Sequence, residues 1–180
     1  MLLAEHGCKR RLPGRVSRRF VNHFRAGIAQ TTTHRQNRRV PDFVLHPRLA
    51  ADTSFLTDWP LSRVLLMDDA RFPWLILVPR RPDAIELHDL TPQDRSILIE
   101  EIVRASAVLK TAAGGTKINV ATLGNVVSQL HIHVVSRTSS DAAWPGPVWG
   151  IGTKVPYDAG ARAYLVAHLL AGFAQVAAHR

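Results

Sequence analysis

The chain has 180 residues, of which 46% are apolar and 21% charged; this excludes wholesale disorder and a collagen-like repeat and favours one domain with an ample core. Its single cysteine, Cys8, excludes a disulfide framework and a Cys-rich zinc module and suits a reducing compartment, so a cytoplasmic location is expected. The net charge of +9 resembles a nucleic-acid signature until it is split by position: residues 1–40 carry ten Lys/Arg against the single acid Glu5, and residues 41–180, with 13 basic and 13 acidic side chains, are neutral.

Residues 1–40 have neither helical nor strand periodicity and read as a basic, disordered tail; a transit peptide and a nucleic-acid-binding arm are the alternatives. Nucleic acid is expected as a partner only through that tail. No run approaches the roughly 18 apolar residues that cross a bilayer, so no membrane association is expected. From about Val40 the texture changes. Leu49 to Phe55 is expected to form a short helix before the Trp59-Pro60 turn. Arg63–Met67 and Trp74–Val78 are short apolar runs separated by about six residues, which predicts an antiparallel strand pair.

Thr91-Pro92-Gln93-Asp94 opens a helix: Thr91 caps the free N–H groups, Pro92 suits the first helical position and Asp94 lies at the positive end of the dipole. Leu98, Ile102, Ala105 and Leu109 make its apolar stripe, and Gly114-Gly115 ends it. Ile97, Ile99, Val103 and Val108 lie elsewhere on its circumference, which predicts burial against more than one surface and therefore a homodimer. Lys117–Leu123 and Leu130–Arg137 are two further strands around a Gly124-Asn125 turn. After the Trp144-Pro145-Gly146-Pro147 loop, Asp158 caps a helix from Ala159 towards Ala178. The order of strand pair, helix, strand pair, helix predicts an α+β domain, an antiparallel sheet with helices packed on it. The expected domain spans residues 41–150, with 151–180 a helical extension packed on it.

The informative segment is Gly124-Asn125-Val126-Val127-Ser128-Gln129-Leu130-His131-Ile132-His133-Val134-Val135. Leu130, Ile132 and Val134 alternate with Gln129, His131 and His133, so the polar trio projects from one face of a strand. Two imidazoles roughly 7 Å apart suit phosphoryl chemistry, one ring attacking phosphorus while the other holds a phosphate oxygen. Taken alone, the pair also reads as two packed strand histidines, or as a zinc site completed by a third ligand such as His46, His88 or His168.

The ordered set of strands, the Gly-rich turn and Gln129-Leu130-His131-Ile132-His133-Val134-Val135 resembles the histidine triad (HIT) family, and within it the bacterial diadenosine tetraphosphate hydrolase-like members. Their motif is His-φ-His-φ-His-φφ, with φ apolar; here glutamine holds the first position. The resemblance implies a HIT-like fold and a nucleotide hydrolase or nucleotidyl transferase that attacks an α-phosphorus through His131, with a nucleotidyl-histidine intermediate, no cofactor and no metal. It implies that His133 binds a non-bridging oxygen and that Gln129 orients the leaving group or water without titrating. Asn119 matches a phosphate or sugar contact, and Asp68 a ribose acceptor with Asp69 as its near alternative. Val126 and Trp74 depart from the family, standing where a hydroxyl donor and an upstream histidine are common, and backbone N–H groups of Gly124 and Asn125 are the expected replacement for the hydroxyl. The substrate implied is a dinucleoside polyphosphate or a nucleoside phosphoramidate; a nucleotide-binding module with vestigial catalysis is the alternative. Asp141 to Trp149 is expected to cover the site, and His46, His88 and His168 to be surface or capping residues.

Overall fold

A computed structural model describes residues 43–178; the basic segment 1–40 lies outside the described residues. Helix α1 (Pro47–Asp52) leads directly into strand β1 (Thr53–Asp58), so the helix expected over Leu49–Phe55 is displaced and a strand replaces its second half. His46 caps the helix and Pro47 opens it, whereas Thr53-Ser54-Phe55 prefers the pleated, half-buried surface of a sheet edge. The backbone turns at Trp59, whose N–H donates to the Ser62 carbonyl at 2.8 Å, into β2 (Ser62–Met67), and β3 (Trp74–Pro79) returns against it with Leu66 opposite Leu75.

After a single 3-10 turn come helix α2 (Pro92–Ala112), strands β4 (Lys117–Ala121) and β5 (Ile132–Arg137), and helix α3 (Ala159–Ala178). The Thr91 hydroxyl accepts the Asp94 N–H at 3.1 Å and the Asp158 carboxylate accepts the Ala161 N–H at 2.8 Å, so both long helices start at the caps legible in sequence. Gly114 ends α2 in the left-handed region at φ 61, where a side chain is strained. Gly115 then passes β5 so closely that a Cβ would lie 1.9 Å from the Ser136 hydroxyl.

The five strands form one antiparallel sheet in the order β1-β2-β3-β5-β4. Alternation divides its side chains between two layers. Leu66, Leu75, Leu77, Ile132 and Val134 face α2 and α3, packing with Leu98, Ala105 and Leu109 of α2 and Leu165, Leu169 and Phe173 of α3. Leu65, Trp74, Ile76, Val78 and Val135 face the other way, against Leu49, Phe72, Val127 and Val148. Both faces of β3 and β5 are therefore covered, and every residue of each strand is buried. Among the polar groups inside, Glu101 of α2 accepts the N–H groups of Leu61 and Ser62 at 2.8 and 3.0 Å.

Candidate active site

His131, immediately before β5, and His133 within it lie on the face opposite the two long helices, as the alternation of the sequence requires, and both are buried, at 5% and 6% exposure. Ile132 and Val134 anchor the strand in the helix-side core, so their neighbours must project to the other side. The two rings meet edge to face with centroids 4.8 Å apart.

His131 Nδ1 lies 2.7 Å from the Gln129 carbonyl. A carbonyl only accepts, so Nδ1 carries the proton and the lone pair of the neutral ring is on Nε2. Burial is the chief cause that lowers the His131 pKa; the bond to Gln129 opposes it, and the charge of His46 adds to the lowering. His133 has the opposite tautomer. The Trp74 indole, a donor only, lies 3.0 Å from His133 Nδ1, so the proton of the neutral ring is on Nε2. Burial, reinforced by His131, depresses this pKa to about 3. One ring thus presents an unprotonated Nε2 and its neighbour a protonated one.

Trp74 therefore takes the part of a tautomer-fixing partner, which an indole performs without titrating. Trp149 closes the cluster, its ring centroid 5.6 Å from that of His133 and 5.8 Å from that of Trp74, so the end of the 141–149 stretch packs on His133. That stretch hangs on Arg137 at the end of β5. The guanidinium, 1% exposed, forms a bidentate pair with Asp141 at 2.7 and 2.9 Å and donates to the Gly146 carbonyl at 3.0 Å.

Three sequence-selected residues stand differently from expectation. Gln129 does not offer its amide to the site: Oε1 accepts the His46 N–H at 2.9 Å and Nε2 donates to the Val44 carbonyl at 2.9 Å. Asn119 is level with Val135 on the histidine face of the sheet, but its oxygen accepts from Arg137 at 2.7 Å. Asp68 lies off the end of β2, and the pairing of Leu66 through Leu75 to Val134 puts it about five residues, roughly 16 Å, further along the sheet than His131. There it accepts the Tyr157 N–H at 3.1 Å, while its neighbour Asp69 pairs with Arg71 at 2.6 Å. Gly124 and Asn125 lie in the exposed loop between β4 and β5, and Val126 beside them is 83% exposed.

Of the remaining histidines, His88 is a surface residue beside Asp89 and His168 stacks on Tyr164 along α3. His46 caps α1 as expected, accepting the Arg48 N–H at 3.1 Å. A charge on it would also act on His131, a coupling across 84 intervening residues that no spacing signals. Among the described residues no three His, Cys, Asp or Glu side chains are grouped to hold a metal ion, so the third ligand that the zinc reading requires is not supplied by them. No helix among them is long and apolar enough to cross a membrane.

Residues 48–140 match the model of the HIT domain family. Among solved structures, a histidine triad protein of Bradyrhizobium japonicum is 45% identical with a TM-score of 0.73, covering 74% of this chain and 99% of its own. One from Marinobacter aquaeolei is 44% identical with a TM-score of 0.72, over 74% and 98% of the two chains. A third, from Sinorhizobium meliloti, is 42% identical with a TM-score of 0.71, over 72% and 96%. No curated protein matches the chain.

Proposed function

Because the chain belongs to the histidine triad family, we propose that it is a nucleotide hydrolase or nucleotidyl transferase acting at an α-phosphorus through a nucleotidyl-His131 intermediate, on a dinucleoside polyphosphate or a nucleoside phosphoramidate. One observation carries the reading: the 2.7 Å bond from His131 Nδ1 to the Gln129 carbonyl, which leaves an unprotonated Nε2 on a ring that burial keeps neutral. Nucleophilic catalysis needs that lone pair and a fixed ring. The Nε2 lone pair forms the N–P bond, the bond from phosphorus to the leaving group breaks, and water or another acceptor later displaces the histidine.

His133 donates from Nε2 to a non-bridging oxygen, a role supported by the Trp74 bond that keeps its proton on that nitrogen. Asn119 retains its amide N–H groups for phosphate or sugar while its oxygen is on Arg137, and the N–H groups of Gly124 and Asn125 serve the phosphate. Asp68 is too far along the sheet to serve the phosphate end. A homodimer is supported by the edge position of β4 among the described strands and by the exposed Ile99 and Val103 of α2 and Val120 of β4. Ile99 and Val120 line an apolar groove of about 360 Å³ between α2 and β4.

Rapid quench of the protein with diadenosine tetraphosphate in alkaline denaturant, where the N–P bond survives, followed by mass spectrometry, should find an adenylyl group on His131, and EDTA should not slow turnover. His131→Ala should lose the adduct and turnover while keeping the fold and nucleotide affinity. Unimpaired turnover in His131→Ala refutes the mechanism; nucleotide binding with neither adduct nor turnover in the wild type supports the binding-module alternative.

A further inference from the structure

The reaction above leaves one role without a side chain. A group must meet the atom that departs from phosphorus, and Gln129, at the first motif position, has both amide atoms engaged with the backbone of Val44 and His46. What this residue does instead is bond to two histidines at once, the ring of one and the backbone of the other. Its carbonyl fixes the His131 ring at 2.7 Å and its side chain fixes the His46 backbone at 2.9 Å. The His46 ring is pinned at a second point, because Nδ1 accepts the Arg48 N–H, so its own ring proton is on Nε2. The ring is only partly buried and close enough for a charge on it to act on His131. His88 and His168, on the 3-10 turn and on α3, share neither the clamp nor that proximity.

Resting on the nucleotidyl-His131 reading, we propose that His46 is the third imidazole of the site and donates from Nε2 to the leaving-group oxygen. The His131 Nε2 lone pair forms the N–P bond while the P–O bond breaks and its electron pair remains on the departing oxygen. The His46 hydrogen bond, rather than a transferred proton, meets the new charge there. Water then attacks phosphorus, the N–P pair returns to Nε2, and the proton released goes to solvent.

A choice of substrate follows. His133 is held with the Trp74 N–H against its Nδ1 and His46 with the Arg48 N–H against its own, so protonating either ring a second time breaks a bond that positions it. Leaving groups that depart as stable anions, such as the phosphate oxygen of a second nucleotide, fit this arrangement. An amine nitrogen, which must gain a proton in order to leave, does not. Between the two substrate classes above, the dinucleoside polyphosphate is the one the site favours.

The test compares the wild type, His46→Ala and His46→Asn on diadenosine tetraphosphate, on an adenosine 5′-phosphoramidate of a simple alkylamine, and on the 2,4-dinitrophenyl ester of AMP. His46→Asn keeps a side-chain acceptor for the Arg48 N–H and so separates helix capping from leaving-group contact. The wild type should favour the tetraphosphate over the phosphoramidate by roughly 100-fold or more, and both variants should lose about 10²–10³ in kcat on the tetraphosphate with KM little changed. On the ester, whose dinitrophenolate is a much weaker base than a departing nucleotide phosphate and so gains little from a hydrogen-bond donor, the loss should stay within about fivefold. Equal losses on tetraphosphate and ester, wild-type rates in His46→Asn, or a phosphoramidate cleaved as fast as the tetraphosphate would overturn the proposal. A wild type with no adduct on His131 would overturn the underlying mechanism and this inference with it; an adduct formed normally alongside any of the first three results refutes the role of His46 alone.

Discussion

The buried neutral state of His133 has a consequence for stability that needs no substrate. In the unfolded chain a histidine titrates near 6.5, whereas in the folded protein burial and the neighbouring His131 hold His133 down to about 3. Between those values the unfolded ring binds a proton that the folded ring refuses, so stability is full above the unfolded pKa and is lost as pH falls below it. Integrated from pH 7 to pH 4.5, the loss from this one group is about 2.5 kcal/mol. Because pH 4.5 lies above the folded value, the figure is set almost wholly by the unfolded ring. His133→Asn removes the titration while keeping a side-chain oxygen to accept the Trp74 indole N–H. Urea unfolding followed by tryptophan fluorescence, at fixed protein concentration and at several pH values from 7 to 4.5, should show the wild type losing about 2.5 kcal/mol more than the variant. Losses from His131, and from Asp94 and Asp141, whose carboxyls the guanidiniums of Arg81 and Arg137 hold below their usual range, occur in both proteins and cancel. Parallel profiles would refute the neutral, Trp74-bonded His133.

Other perturbations follow from the same contacts. His133→Ala should lower kcat by about 10²–10³ through the loss of one donor to the developing charge; a change in stability alone, with kcat intact, would show that the residue only packs. Arg137→Met leaves the nearly buried Asp141 carboxylate without its partner and should cost about 3–5 kcal/mol in equilibrium unfolding; a loss below about 1 kcal/mol would mean that the 141–149 stretch is held by other contacts. Sedimentation at micromolar concentration should give about twice the chain mass of 19.9 kDa for the wild type. Ile99→Glu, which puts a charge on an exposed apolar face of α2, should sediment as a monomer, and an unchanged dimer would place the interface elsewhere.

What the sequence by itself determined is what local rules govern. Period-two alternation put His131 and His133 on one side of their strand because Ile132 and Val134 can only face the core. Side-chain caps set the starts of α2 and α3, and Gly114-Gly115 the end of α2, because a left-handed residue and a backbone that nearly touches Ser136 admit little else. Strand β1 escaped the same reasoning, since an edge strand owes its stability to the neighbour it pairs with, here β2, and little to its own pattern. The tertiary structure decided the tautomers and the assignments. The Trp74 indole reaches His133 because β3 lies beside β5. Asn119 faces the site but is drawn to a buried guanidinium that must be satisfied, and Gln129 turns its amide to a backbone segment more than 80 residues earlier in the chain. Hydrogen bonds of such sequence separation leave no periodicity to read. They form because every polar group closed in by folding needs a partner, and which partner arrives is settled only when the segment around His46 packs on the face of the sheet that carries His131.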